Sequence, residues 1–258
     1  MDHNRINPLK YSIHTRLREY YLKRLIPKIK NGRLLDVGCG LGYLTEVLGE
    51  EYFKIGLDYD FHSLKLNYNR GMTNMLQSSA TELPFKGEIF DVIICSELLE
   101  HLPNKMDEKA LCEMARVLKP GGILLITIPA LNGLRSTSKL RNLGHDDPEG
   151  GEYHYRIGYS WNDAKAMIEK IPKLKIYKKR FSMFLLSELF MDLLKVIYLK
   201  KNKFRDHSNI MDMKESFFFR LYRFFFTLLY FCFIYEDLLF ASIFKGHILI
   251  IAAERYAE

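Results

Sequence analysis

Between Leu34 and Gly42 an apolar run, Leu34-Leu35-Asp36-Val37, ends in three glycines at 38, 40 and 42, and a helix-patterned segment follows. This junction constrains the fold more than any other stretch of the chain. Glycines let the backbone turn tightly and approach a ligand closely, and a helix starting just beyond them presents unpaired N–H groups and a positive dipole end. A ligand carrying negative charge is the expected occupant. A dinucleotide-binding turn needs a small residue at position 43 for helix–strand packing, and Tyr43 stands there, so the G-x-G-x-G spacing argues against a nicotinamide enzyme.

The rest of the chain repeats the same alternation. Short apolar runs follow at 53–58 (FKIGLD), 73–77 (TNMLQ), 90–95 (FDVIIC) and 122–128 (GILLITI), and helical segments separate most of them. Strands alternating with helices imply βαβ units with right-handed crossovers, hence a doubly wound, mostly parallel α/β sheet. Pro120-Gly121-Gly122 punctuates the entry to the fifth strand. Residues 11–26 have apolar groups at helical spacing and stop at Pro27, so 1–32 is a leading helical segment before a core at 33–129. The stretch 130–159 holds five glycines and no strong periodicity, which suggests a functional acceptor-side loop. Ser160 can cap a helix through about Lys170, and LKIYKKRF resembles a sixth strand. Helices are expected at 182–199 and 215–244, within an aromatic-rich insertion at 182–245, and GHILIIAAERY closes the sheet as a seventh strand. The economical layout is a single domain over 1–258.

Composition narrows the classes further. The 258 residues are 48% hydrophobic and 27% charged, ordinary globular usage that makes disorder or a fibrous repeat improbable. The four cysteines, at 39, 95, 112 and 232, form no CxxC pair, so free thiols in a reducing cytosol are expected in place of disulfides or a structural metal. The amino-terminal residues show no apolar secretory h-region, and the longest uncharged apolar run, 224–235, is too short to span a bilayer. Net charge is uneven: +7 over 1–33, −6 over 34–130 and +6 over 131–258.

Asp58 ends the second apolar run 20 residues after Gly38, where a carboxylate can accept both hydroxyls of an adenosine ribose. With the glycine turn, Asp58, ATELPF (80–85), FDVIICSELLEHL (90–102) and RVLKPGGILLITIP (116–129), the chain resembles the class I S-adenosylmethionine-dependent methyltransferases, most closely the ubiquinone and menaquinone type within the small-molecule branch. These landmarks stand in the family's order. The resemblance implies a seven-stranded Rossmann-like sheet and S-adenosylmethionine as cofactor, with S-adenosylhomocysteine as product. It also implies roles. Asp36 would organise the glycine loop and meet the cofactor's amino group, Gly38 and Gly40, with Cys39 between them, would approach the methionine moiety, and Asp58 would hold the ribose with Tyr59 beside the adenine. Ala80 would meet the adenine through its backbone N–H, and Ser96 would lie under the methionine part. One departure is visible: Ser79 replaces the Asp that usually takes the adenine amino group.

Each of these residues has a plainer reading. Asp36 and Asp58 can cap turns, Cys39 can be a small residue that fits, and Glu100-His101 can be a surface pair at a helix start or line the active site. Methyl transfer by in-line displacement asks mainly for alignment and water exclusion, and positioning alone supplies about 7–11 kcal/mol. A general base is needed for a hydroxyl or acidic-carbon acceptor, and His145 and His154 in the acceptor-side loop are the catalytic candidates. No carboxylate cluster resembles a magnesium site. The expected acceptor is a small molecule, of lipid or isoprenoid type. Residues 217–244 carry 13 Phe or Tyr, and 165–205 carries 12 Lys and Arg against 3 acids, a pattern that fits rings packing the insertion onto the sheet, peripheral membrane contact, or an oligomer interface. A nucleic-acid methyltransferase is the first alternative, since the chain is basic. Against it, Ser96-Glu97-Leu98-Leu99 replaces the Asn/Asp-Pro-Pro-aromatic turn of base-amino methyltransferases. A non-catalytic cofactor-binding scaffold is the second.

Overall fold

The computed structural model describes residues 7–103, 105–131, 133, 155–184, 186–187, 189–190, 217–241 and 243–257. Seven strands form one sheet in the order β3-β2-β1-β4-β5-β7-β6. They are β1 (Arg33–Val37), β2 (Phe53–Asp58), β3 (Met75–Gln77), β4 (Phe90–Ser96), β5 (Leu118–Pro129), β6 (Leu174–Ser182) and β7 (Ile248–Arg255). All neighbouring pairs are parallel except those that β7 makes with β5 and β6. This is the mostly parallel, doubly wound sheet that the strand–helix alternation implies. The chain order reverses beside β1, between β1 and β4, and in open α/β sheets ligands bind at the carboxyl ends of the strands flanking such a switch.

Both faces of the central strands β1, β4, β5 and β7 are buried, so these strands read as near-continuous apolar runs. Alternate residues divide between two cores. Leu35, Ile93, Ile126 and Ile251 pack under α4 (Met106–Val117) and α5 (Trp161–Glu169), whereas Leu34, Ile94, Leu125 and Ile250 pack under α1 (Ile13–Lys23), α2 (Tyr43–Val47) and α6 (Phe217–Phe240). The remaining helix, α3 (Phe61–Asn69), follows β2 and turns Leu64 and Asn67 inward. The helix expected after Ser160 is α5, and the Ser160 hydroxyl accepts the Asp163 N–H at its start. Likewise the Ser12 hydroxyl accepts the Thr15 N–H and starts α1 two residues later than the sequence pattern suggests, after a 3₁₀ turn over Pro8–Tyr11.

Two expectations are corrected. Pro120-Gly121-Gly122 does not precede the fifth strand. It lies inside β5 as a bulge, where the partner register jumps from Phe90↔Leu118 to Val92↔Ile123 and Gly121 takes φ +76°. Proline has no N–H for the ladder and glycine accepts the left-handed bend, so the chain bends here without leaving the sheet. Glu100 is not on the surface: it is 1% exposed, in a 3₁₀ turn over Leu99–His101.

Candidate active site

The glycine turn is held from below by β2. The Leu57 carbonyl accepts both the Gly38 and Cys39 N–H groups, at 2.8 and 3.0 Å, and the Cys39 carbonyl accepts the Gly42 N–H at 2.8 Å. All three glycines take positive φ, +73°, +48° and +68°. Their surroundings differ. A Cβ on Gly38 would meet Leu98 at 2.8 Å and one on Gly42 would meet Asn67 at 3.0 Å, but one on Gly40 would meet nothing within 4 Å. The loop is therefore packed at both ends and open at its centre.

Asp58 closes this opening from the side. Its Oδ2 accepts the Gly40 N–H at 2.6 Å and its Oδ1 accepts the Asp60 N–H at 2.9 Å. A carboxylate has about four acceptor positions, so two remain for hydroxyls arriving from the open side. Asp36 lies one layer beneath, 2% exposed, with its Oδ2 accepting the Thr45 hydroxyl at 2.6 Å. Burial, reinforced by the neighbouring Asp58 charge and opposed by the Thr45 hydroxyl, pushes its pKa up to about 6. That contact ties β1 to α2, so Asp36 organises the loop from inside. The Cys39 sulfur faces the Cα of Gly56 in β2, and burial raises its thiol pKa well above the usual range.

Tyr59 follows Asp58 and is 78% exposed, with its carbonyl accepting from Gln77 Nε2 at 3.1 Å. Across the β2–β3 register, which pairs Asp58 with Gln77, the chain runs on to Ser79 and Ala80. The Ser79 hydroxyl accepts the Thr81 N–H at 3.2 Å and shares a 2.8 Å hydrogen bond with the Thr81 hydroxyl. Asp58, Tyr59, Ser79 and Ala80 thus gather at the same end of adjacent strands, beside the glycine loop.

Ser96 ends β4 next to the loop, and the next residue, Glu97, takes φ +53°. Non-glycine residues pay roughly 1–2 kcal/mol for that conformation. A closed set of polar contacts holds it. The Thr127 hydroxyl donates to Glu97 Oε1 at 3.1 Å, so its one proton is used and Ser96 is the donor in the 2.8 Å Ser96–Thr127 bond. Arg18 of α1 donates to the Ser96 hydroxyl at 3.4 Å and lies 3.9 Å from Glu97 Oε1.

Several contributors were not identified from sequence. Asn67, fully buried on α3, donates from Nδ2 to the Gly40 carbonyl at 2.8 Å, and Arg70 donates to the Leu41 carbonyl and to Asn67 Oδ1. Asn7 reaches the same Leu41 carbonyl at 3.0 Å. For Asn67 the signal was an amide on the inward side of an amphipathic helix, which side-chain periodicity alone does not assign. His14 on α1 and His247 before β7 pack edge to face, with ring centroids 5.7 Å apart, at the β5–β7 edge where Ala130 N–H donates to the His247 carbonyl at 2.6 Å. His145 and His154 lie outside the described residues.

The strand order and the glycine loop at the switch point define the class I methyltransferase fold. Residues 35–126, about a third of the chain, match the family described as a methyltransferase domain. The chain is similar to three named relatives. These are the human probable tRNA methyltransferase 9B (35% identity over 112 residues, 43% of this chain and 24% of the relative), the ubiquinone/menaquinone biosynthesis C-methyltransferase of Vibrio vulnificus (37% over 105 residues, 36% and 40%), and the tRNA (carboxymethyluridine(34)-5-O)-methyltransferase of Arabidopsis thaliana (38% over 97 residues, 37% and 23%). The chain spans well under half the length of each. Among solved structures, the [4+2]-cyclase SpnF superposes with a TM-score of 0.59 at 16% identity, covering 95% of this chain and 82% of that one. Phosphoethanolamine N-methyltransferase 2 of Haemonchus contortus, in complex with S-adenosyl-L-methionine, does so with 0.55 at 16% identity, covering 93% and 52%.

Proposed function

We propose that the chain binds S-adenosylmethionine at the glycine loop and transfers its methyl group to a small, hydrophobic acceptor of lipid or isoprenoid type. One observation carries the cofactor reading: Gly40, with open space where a side chain would be, stands beside an Asp58 carboxylate that has acceptor positions left for two ribose hydroxyls. The residues present fit the group. When bound, the cofactor supplies a methyl group already activated on a sulfonium.

The protein's part is alignment. Asp58 holds the ribose, Gly38 and Gly40 allow close approach of the methionine moiety, and Tyr59, Ser79 and Ala80 border the adenine. Ser96, fixed by Thr127, Glu97 and Arg18, sets the floor at the end of β4. Calorimetry with S-adenosylmethionine and S-adenosylhomocysteine tests the cofactor. A labelled-methyl screen against lipid, quinone, glycan and tRNA extracts tests the acceptor.

The relatives named as tRNA methyltransferases, at identity similar to the quinone enzyme, support a second reading with tRNA as acceptor. Label entering tRNA and no lipid or quinone fraction would establish it. Label entering any acceptor excludes a non-catalytic scaffold.

A further inference from the structure

We propose that the outward face of α6 docks the protein on an anionic membrane surface. The helix has 24 residues, so it is about 36 Å long. At 100° per residue, Leu221, Phe224, Leu228, Phe231, Tyr235 and Leu238 fall on one arc of its surface, and all six are exposed. Phe224 is 80%, Tyr235 66% and Leu228 63% accessible. A row of large apolar side chains of this length in water marks an interaction surface.

The charges on the helix say what kind. Its two acids face the protein: the carboxylate of Glu236 accepts the N–H groups of Leu186 and Ser187, and that of Asp237 accepts from Ser182 and the Met183 N–H. Its two cations do not share that burial. Arg220 is exposed at the edge of the apolar arc, and Arg223 is partly exposed, stacked over the Tyr11 ring at 5.0 Å. An apolar face rimmed by cations and stripped of carboxylates complements a layer of anionic headgroups over acyl chains. A second copy of the same helix would bring no acid to pair with these cations.

The face is also held firmly. Tyr222 donates its hydroxyl to the Tyr11 carbonyl at 2.5 Å, the Tyr11 and Phe226 rings meet edge to face at 5.5 Å, and Arg16 of α1 stacks over Tyr230 at 4.9 Å. No helix among the described residues is long and apolar enough to cross a membrane, so α6 lies along the surface. Because α1 also carries His14 and Arg18 to the site, docking through α6 places the site beside the bilayer. That an acceptor is drawn from the bilayer rests on the lipid reading above; the docking does not.

Vesicle flotation tests it, with the full chain and neither cofactor nor acceptor, so that failure here leaves the methyltransferase reading standing. The chain is expected to float with phosphatidylcholine vesicles containing phosphatidylglycerol at 0.1 M salt, and binding is expected to fall about fivefold or more at 0.5 M as the charges are screened. Phe224→Ser/Leu228→Ser/Tyr235→Ser is expected to weaken binding about tenfold or more, because burial of those side chains is lost, with an unchanged circular dichroism spectrum. Should that triple variant misfold, Arg220→Glu at its exposed position is expected to weaken binding too. No flotation of the folded wild type on anionic vesicles overturns the proposal. So does equal binding by wild type and folded variants, or a stable dimer in sedimentation equilibrium that the triple variant dissociates, which would make a second copy the occupant.

Discussion

The Gly40 backbone N–H donates to the Asp58 carboxylate at 2.6 Å, across 18 residues of sequence. One side chain thereby fixes the glycine loop and faces the opening where a ribose would lie. The negative charge lowers the cost of the left-handed loop by engaging its central amide, and the loop in turn holds the carboxylate in one orientation. Charge-assisted hydrogen bonds of this kind are stronger than neutral ones.

Asp58→Ala is therefore expected to weaken binding of S-adenosylhomocysteine by about 2–3 kcal/mol and to lower thermal stability as well, since the Gly40 N–H loses its acceptor. Asp58→Asn retains one acceptor oxygen for that N–H and is expected to fall between. Calorimetry and thermal melts check both. Equal affinity in wild type and Asp58→Ala would remove the ribose assignment, and tighter binding of NAD than of S-adenosylhomocysteine would remove the cofactor reading.

Gly40 and Gly42 are expected to separate binding from stability. An alanine at either position pays roughly 1 kcal/mol or more for positive φ. At Gly42 the added methyl also presses on Asn67 at 3.0 Å and disturbs its bond to the Gly40 carbonyl, so Gly42→Ala is expected to melt lower than Gly40→Ala. At Gly40 the methyl enters open space, so the fold tolerates it while cofactor affinity drops about tenfold or more, the effect of occluding a close approach. Gly40→Ala with wild-type affinity would show that the opening is not where the ligand sits.

The strand–helix alternation, the strand-to-glycine junction and Asp58 were legible because each has a local signature: apolar period, clustered glycines, and a carboxylate at a strand end. Asn67, Arg70 and Asn7 were not, because they act on carbonyls 27, 29 and 34 residues away and no local pattern marks those partners. Glu100 was misplaced for a related reason. A charged residue beside a histidine suggests a surface until the chain around β4 and Arg156, whose N–H donates to the Glu100 carbonyl, closes over it. The bulge at Pro120-Gly121-Gly122 uses the same residue types as a turn, and only the register with β4 tells them apart.

Asp237 and Asp36 predict a sign for the pH dependence of stability. Burial raises each carboxyl to about 6 in the folded protein, against an ordinary value of 3.8, despite donors from Ser182 and Met183 on Asp237 and from Thr45 on Asp36. The folded state therefore binds protons more tightly than the unfolded state. Their contribution to stability is fully present below about pH 4, declines as pH rises toward 6, and is lost above it. Asp237→Asn keeps an acceptor for the Met183 N–H and no longer titrates. Relative to that variant, wild type is expected to lose on the order of 2–3 kcal/mol between pH 4 and 7, at about 1.4 kcal/mol per unit of pKa difference. Denaturant titrations at several pH values measure it, and a difference that stays constant with pH would refute the assignment.

His14 and His247 face each other where β5 ends and β7 begins, at the same end of the sheet as the glycine loop. His247 is held there by its backbone: its N–H donates to the Met183 carbonyl and its carbonyl accepts the Ala130 N–H. An imidazole at that edge can take a proton from a hydroxyl or an acidic carbon, whereas a purely packed ring contributes only to stability. His14→Gln and His247→Gln are expected to lower kcat about tenfold or more, within the usual range for lost proton transfer, while S-adenosylhomocysteine affinity changes less than about twofold. The same measurements on His145→Gln and His154→Gln test the loop histidines. Full turnover in His14→Gln and His247→Gln with lowered melting temperatures would assign that pair to packing, and loss of turnover confined to His145→Gln or His154→Gln would move the base into the loop.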